Sequence, residues 1–324
     1  DDVMRLEHAP DSLIVLGAGG VGLELSQFFA RIGTRVLLVN RSPLLSRFDV
    51  ECGRELERAL CDETNLELAI PGRILDVEPS PGGLSATIRC GDRQWRQQAS
   101  ALLMATGRRA AIDELGLEHV GVRTTAAGVV HDDAMRTTNP SIFVAGDATG
   151  RHQLLHLANQ EGTVAGHNAA VGQAALRMDR RLKMSVIYTD PPFAIVGANE
   201  SEIRANVEFV TGRARFADTG RAITMGARHG LWKLWANKAE GEILGSAIVG
   251  PRADDLIHLI STAMYYRATS TALCSMPWYH PTLSEVILNL ARDISRQLRV
   301  DCTIPGAATL APGYSTTMRD RAND

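Results

Sequence analysis

At 324 residues the chain is long enough for two or three domains, each with its own core. Its 45% hydrophobic and 22% charged content is ordinary for a globular protein. A net charge of −3 leaves no footprint for nucleic acid or an anionic membrane. No apolar run is long enough to span a bilayer, and Asp1-Asp2-Val3-Met4-Arg5-Leu6-Glu7 has no signal-peptide character. Cys52, Cys61, Cys90, Cys274 and Cys302 show neither metal-ligand spacing nor a disulfide framework. They read as buried or inert thiols in a reducing cytoplasm, with no metal site expected.

Residues 1–10 are acidic, end at Pro10 and read as a linker. Ile14-Val15-Leu16 then forms a short buried strand that runs into Gly17-Ala18-Gly19-Gly20-Val21-Gly22. A helix-periodic segment follows, with Leu25, Phe28, Phe29 and Ile32 at core-facing spacing. A dinucleotide site needs that order. The first glycine makes the tight turn, the second lets backbone approach a pyrophosphate, and the third lets helix and strand pack closely. A glycine-rich turn can be purely structural, but the readable strand and helix on either side favour the binding site.

The second strand, Thr34 to Val39, ends at Asn40, where a dinucleotide site commonly places an acid for the adenine ribose. An amide there does not repel a 2′-phosphate, and Arg41 and Arg47 can pair with one. These residues favour NADP(H), with NAD(H) the alternative; solvated loop arginines are the bland reading. A helix is expected from about Val50 to Leu60. Leu84 to Arg89 and Gln94 to Gln98 alternate as an antiparallel pair about a turn at Gly91-Asp92. Ala101 to Ala105 is a short apolar strand ending in Ala105-Thr106-Gly107-Arg108-Arg109.

In residues 113–183, strands are expected at Val129-Val130 and Ile142 to Ala145, the latter running into Gly146-Asp147-Ala148-Thr149-Gly150. A stretch apolar at every position is the mark of a strand buried on both faces of a parallel sheet. A helix follows from about Leu154 to Ala170. From Ser185 on, strands at Val207 to Ala214, Leu231 to Ala236 and Ile243 to Val249 precede helices at about Asp254 to Arg267 and Ser284 to Leu298. Strands followed by helices mark a separate α+β domain. Residues 301–324 are polar and aperiodic, and read as a tail.

With these residues in order, the chain resembles the pyridine nucleotide–disulfide oxidoreductases, which include dihydrolipoamide dehydrogenase, glutathione reductase and mercuric reductase. The resemblance rests on residues 17–24, 105–109, 145–150, Leu154 to Gly162, Thr189 to Gly197 and His280-Pro281-Thr282-Leu283-Ser284-Glu285. It implies an α/β protein with a Rossmann-like NAD(P)-binding domain at 1–112. A partial FAD-domain segment at 113–184 and an α+β dimerisation domain at 185–300 would follow. Gly17, Gly19, Gly20, Val21 and Gly22 would take the nicotinamide dinucleotide, with Glu24 near the nicotinamide and Ala105, Thr106 and Gly107 beside it. Gly146 and Asp147 would meet the FAD ribityl chain, and the helix starting near Leu155-His156 would point at the flavin. His280 and Glu285 would form the acid–base dyad, across a cis His280–Pro281 bond and supplied by the partner of a homodimer.

The departures matter as much. The family's opening FAD-binding glycine turn and its Cys-x4-Cys are not in these residues, so the chain reads as lacking an N-terminal FAD and disulfide half. Only Cys302 stands in the tail, where mercuric reductases carry a vicinal pair. The expected activity is hydride transfer from NADPH through FAD to a small disulfide or a redox protein, or the reverse from a dithiol. A flavin transhydrogenase or NAD(P)H oxidase of the same fold, or a non-catalytic nucleotide-binding dimerisation module, are the alternatives.

Overall fold

The computed structural model describes residues 2–151, 153–300 and 302. The chain divides into two compact units, residues 1–46 with 60–189, and residues 47–59 with those from 190 onward.

In the first unit, β1 (Ser12–Leu16) leads into α1 (Gly20–Arg31) and β2 (Arg35–Val39). The next helix, α2 (Val50–Cys61), belongs for most of its length to the second unit. Then come β3 (Leu66–Ala69), β4 (Gly72–Ser80), β5 (Gly83–Cys90), β6 (Arg93–Ala99) and β7 (Ala101–Met104). A parallel sheet runs in the order β3-β2-β1-β7, and β4-β5-β6 form an antiparallel meander. Ile14, Leu37 and Val39 of the sheet share a core with Ala86, Ile88 and Ala99 of the meander. The expected hairpin is present, with Ile88 opposite Trp95.

The buried face of α1 differs from the expected one. Gly22, Leu23, Ser26, Gln27, Phe29 and Ala30 are inside, whereas Phe28 and Ile32 are half exposed, at 52% and 51%. Gly22, Ser26 and Ala30 lie four residues apart, a ridge of small side chains that permits close approach to the sheet. Gln27 enters because its amide donates to Glu63 Oε1 at 2.7 Å.

Residues 142–145 are likewise not a strand of a parallel sheet. They make an isolated antiparallel bridge, Arg136 to Phe143, with Thr137 N–H donating to Ile142 O and Val144 N–H to Met135 O, both at 3.0 Å. Ile142 O and the Val144 N–H are thus bonded by the loop that immediately precedes them. The apolar run is still packed from both sides. Ile142 and Val144 join Ala110, Ile112, Val122 and Val129, while Phe143 and Ala145 join Met135, Val164 and Ala165. Val129-Val130 also forms no strand, only a bridge from Val129 to Thr124. This region exposes Leu115, Val120 and Leu155. Helix α3 (Leu155–Val171) and β8 (Met184–Ile187) complete the unit.

The second unit contains β9 (Phe193–Gly197), α4 (Glu200–Arg204), β10 (Phe209–Arg215), α5 (Gly220–Thr224), β11 (Leu231–Asn237) and β12 (Ile243–Val249). Helices α6 (Ala253–Tyr265), α7 (Ser270–Ser275) and α8 (Val286–Leu298) follow. The strands pair antiparallel in the order β10-β11-β12-β9. Helix α8 packs against β10 and β11, and α6 against β12 and β9. Gly212 allows α8 its close approach, since a Cβ there would stand 2.5 Å from Leu290 O.

Cys274 and Cys302 form a disulfide, with Cα atoms 5.7 Å apart. That corrects the reading of five unpaired thiols, because spacing along the chain did not reveal that α7 packs against α8. It also removes the cysteine argument for a reducing compartment. Apart from Cys302, the expected tail lies outside the described residues. Among the described residues no helix is long and apolar enough to cross a membrane.

Candidate active site

The turn between β1 and α1 separates glycines that the fold needs from one that it does not. Gly17 has φ +106°, and a Cβ there would lie 2.4 Å from Ala105 O. A Cβ on Gly22 would lie 1.8 Å from Gly17 O. Gly19, the N-cap residue of α1, would meet nothing within 4 Å, and no side chain caps the helix there. A close backbone approach by a ligand accounts for an unencumbered glycine at that point, and the uncapped N–H groups suit a pyrophosphate. Gly20 faces Ile187 Cγ1, 3.7 Å from its ideal Cβ, and Val21 is exposed. Ala105 N–H donates to Leu16 O at 2.8 Å, which brings the 105–107 segment to the same turn. Thr106 and Gly107 are exposed.

Asn40 fastens this turn. Its Oδ1 accepts the Ala18 N–H at 3.1 Å and its Nδ2 donates to Ser42 O at 2.6 Å. The amide therefore organises the glycine loop and the start of the 40–42 loop together, a role that sequence position alone did not show. Arg41 and Arg47 are both exposed; Arg41 belongs to the first unit and Arg47 to the second. Glu24 accepts the Tyr188 N–H on Oε1 at 2.9 Å, which holds the end of β8 beside α1.

Asp147 lies exposed on a single 3-10 turn, Gly146–Thr149, and Leu155 and His156 begin α3 on the surface. Three residues that sequence reading missed support this region. Glu161, fully buried in α3, accepts the Gly146 N–H at 2.9 Å and pairs with Arg180 at 3.3 Å. Asn168, also buried, donates to Ala134 O and Leu176 O. Glu161 was within reach of a reader, being an acid on the apolar side of a helix.

In the second unit His280 Nδ1–H donates to Glu285 Oε2 at 2.7 Å, and the His280–Pro281 bond is cis. The carboxylate accepts only, so it fixes the tautomer with the proton on Nδ1. The imidazole is 76% exposed while Glu285 is 16% exposed, so the ring is held from below and presented outward. Thr282 Oγ1 donates to Tyr279 O and accepts the Glu285 N–H, and Trp278 Nε1 donates to Leu273 O, which sets the turn rigidly.

Comparison with known proteins gives the family. The family profile described as pyridine nucleotide-disulphide oxidoreductase matches residues 1–162, and the dimerisation domain of the same family matches residues 184–291. The chain belongs to the pyridine nucleotide–disulfide oxidoreductase family. It is 35% identical over 300 residues to a dihydrolipoyl dehydrogenase of Thermus scotoductus, covering 91% of this chain and 64% of that one. It is 34% identical to a mercuric reductase of Streptomyces lividans, covering 87% and 59%. Among solved structures it is similar to LpdA from Mycobacterium tuberculosis, at 28% identity and a TM-score of 0.76, covering 89% and 62%. The chain thus spans about six-tenths of the length of these relatives.

Proposed function

We propose that this chain is the nucleotide-binding, flavin-contacting and dimerisation part of an NADPH-dependent disulfide oxidoreductase. Residues 1–112 bind the nucleotide, 113–184 contact the flavin, and 185–300 form the interface of a homodimer. The observation that carries the reading is the His280–Glu285 pair, an outward imidazole with its tautomer fixed by a half-buried carboxylate. A proton donor and acceptor is what interconversion of a disulfide and two thiols requires.

Gly17, Gly19 and Gly22 admit the dinucleotide, and Arg41 meets its 2′-phosphate. Asp147 and the start of α3 at Leu155-His156 fit one side of FAD, through an exposed carboxylate and an uncapped helix end. Bound FAD would supply the two-electron relay between nicotinamide and disulfide. One hydride and one proton then reduce one disulfide to two thiols, with His280 Nε2 holding or delivering the proton at sulfur. Dithiol oxidation is the same chemistry reversed. No two cysteines of this sequence stand in Cys-x4-Cys spacing, so the redox-active pair is assigned to polypeptide outside these 324 residues.

The test is flavin content and NADPH titration of the purified chain, alone and with that other half supplied as a separate polypeptide. The expected result is NADPH binding by the chain alone, with a stoichiometric yellow complex and disulfide-dye reduction only after assembly. A chain that purifies with one tightly bound FAD per subunit would overturn the division of the flavin site.

A further inference from the structure

The turn that carries Asp147 rests on α3 through a buried carboxylate. Gly146 adopts φ +67°, which suits glycine, and its ideal Cβ would lie 3.3 Å from the Ala158 Cβ. The turn is therefore pressed against the helix at Ala158, and its backbone N–H points into protein, away from water. One helical turn further on, Glu161 supplies the acceptor, with Oε2 2.9 Å from that N–H. Its other oxygen, Oε1, pairs with Arg180 Nη1 at 3.3 Å, and Arg180 Nε bonds Asp133 Oδ1 at 3.0 Å. Glu161 is 0% exposed, so each oxygen has exchanged water for one fixed partner.

We infer that Glu161 is a positioning residue, which fixes Asp147 by holding the Gly146 amide against α3; this rests on the reading of Asp147 as a flavin contact. The carboxylate does two things that a core apolar residue cannot. It satisfies an N–H that would otherwise be buried without a partner, and it balances Arg180, which ties the 133 segment to the same face of α3. The turn cannot slide along the helix without breaking a charge-assisted bond. On the far side Gly150 closes the arrangement, since its ideal Cβ would lie 1.8 Å from Ala127 O. Asp147 is thus held between two contacts that leave its own carboxylate exposed.

The substitutions Glu161→Ala and Glu161→Gln separate positioning from a general contribution to folding. Glutamine keeps an oxygen for the Gly146 N–H but loses the charge facing Arg180. Hydrogen exchange of the 324-residue chain is read at residues 143–150, with residues 12–39 as the internal control. Glu161→Ala should speed exchange of the 143–150 segment by about tenfold or more and Glu161→Gln by no more than about threefold. The control segment should not change. Wild-type protection in the Ala variant, or equal opening in both variants, overturns the inference. Should the Ala variant fail to fold, the Gln variant decides alone: protected supports, opened overturns. FAD retention by the assembled protein should follow the same order. Altered exchange with unaltered FAD retention removes Asp147 from the flavin site and overturns the functional half of the inference, a failure distinct from that of the Glu161 contact itself.

Discussion

Lys233 Nζ lies 2.7 Å from Asp49 Oδ2, with both side chains at most 2% exposed, although 184 residues separate them in sequence. Glu51 and Glu200 approach the same ammonium at 3.0 and 3.1 Å. This buried cation fastens the loop before α2 and its first turn onto β11, within one compact unit. Replacing Lys233 by Met leaves Asp49 buried without its counter-ion. The unit should lose about 3–5 kcal/mol, the usual cost of removing one partner of a buried ion pair. Urea unfolding followed by fluorescence of Trp232 and Trp235 measures this, and an unchanged midpoint would show that the cluster is only tolerated.

The same cluster predicts acid sensitivity. The Arg213 guanidinium bonded to Glu51 holds its carboxyl at about 2, against an opposing effect of partial burial and with help from Lys233. Burial acts to raise Glu200, but bonds from Lys233 and Arg204 bring it below its ordinary value. Depressed carboxylates stabilise the folded state fully above their unfolded value of 4.5 and lose that contribution as pH falls towards about 2. Stability should therefore drop across that window, and Arg213→Ala should flatten the drop. An identical pH slope in the variant would remove Glu51 from the explanation.

The glycine turn gives opposite expectations for two neighbouring substitutions. Gly22→Ala places a methyl 1.8 Å from Gly17 O, so the turn must shift and the first unit should be strongly destabilised. Gly19→Ala meets open space and should cost no more than about 1 kcal/mol as an N-cap change. It should still weaken NADPH binding by about tenfold or more, because the methyl would stand on the proposed path of the pyrophosphate. Thermal melts and nucleotide titration of both variants are the check. Full nucleotide affinity in Gly19→Ala would mean that the turn is structural only.

The proposed preference for NADPH rests on an arginine rather than on Asn40, whose amide is committed to Ala18 and Ser42. Arg41→Ala should weaken NADPH by about 1.5–3 kcal/mol, the range for a bond to a charged group, and leave NADH unchanged. Titrating both nucleotides onto wild type and variant measures it. Equal wild-type affinities for NADPH and NADH would exclude the preference.

What could be read in the sequence follows the range of the interactions. The glycine turn and the hairpin about Gly91-Asp92 are made by residues close in sequence, and local pattern was enough to find them; the His280–Glu285 contact is equally local but was indicated by the family resemblance. The buried side of α1 was misjudged because apolar spacing ignores small residues, and Gly22, Ser26 and Ala30 set how closely the helix lies. Residues 142–145 were read as a sheet strand because an unbroken apolar run was taken to mean burial on both faces of a parallel sheet; the burial is present without the sheet. The Lys233 cluster and the Glu161–Arg180 pair join distant segments, so no window contains both partners. A lone lysine inside Leu231-Trp232-Lys233-Leu234-Trp235 was the one visible sign that carboxylates must come from elsewhere.

Disulfide turnover in His280→Ala decides whether the imidazole takes part in the thiol step. The chain would be assembled with the proposed Cys-x4-Cys polypeptide, and NADPH-dependent reduction of a disulfide dye followed at saturating nucleotide. Loss of a positioned acid–base group should lower kcat by about 10²–10⁴-fold. Reduction of the flavin by NADPH, measured in the same preparation by stopped flow, should keep its wild-type rate. Turnover of His280→Ala at the wild-type rate would contradict the account, because the outward imidazole on Glu285 would then have no part in the thiol step.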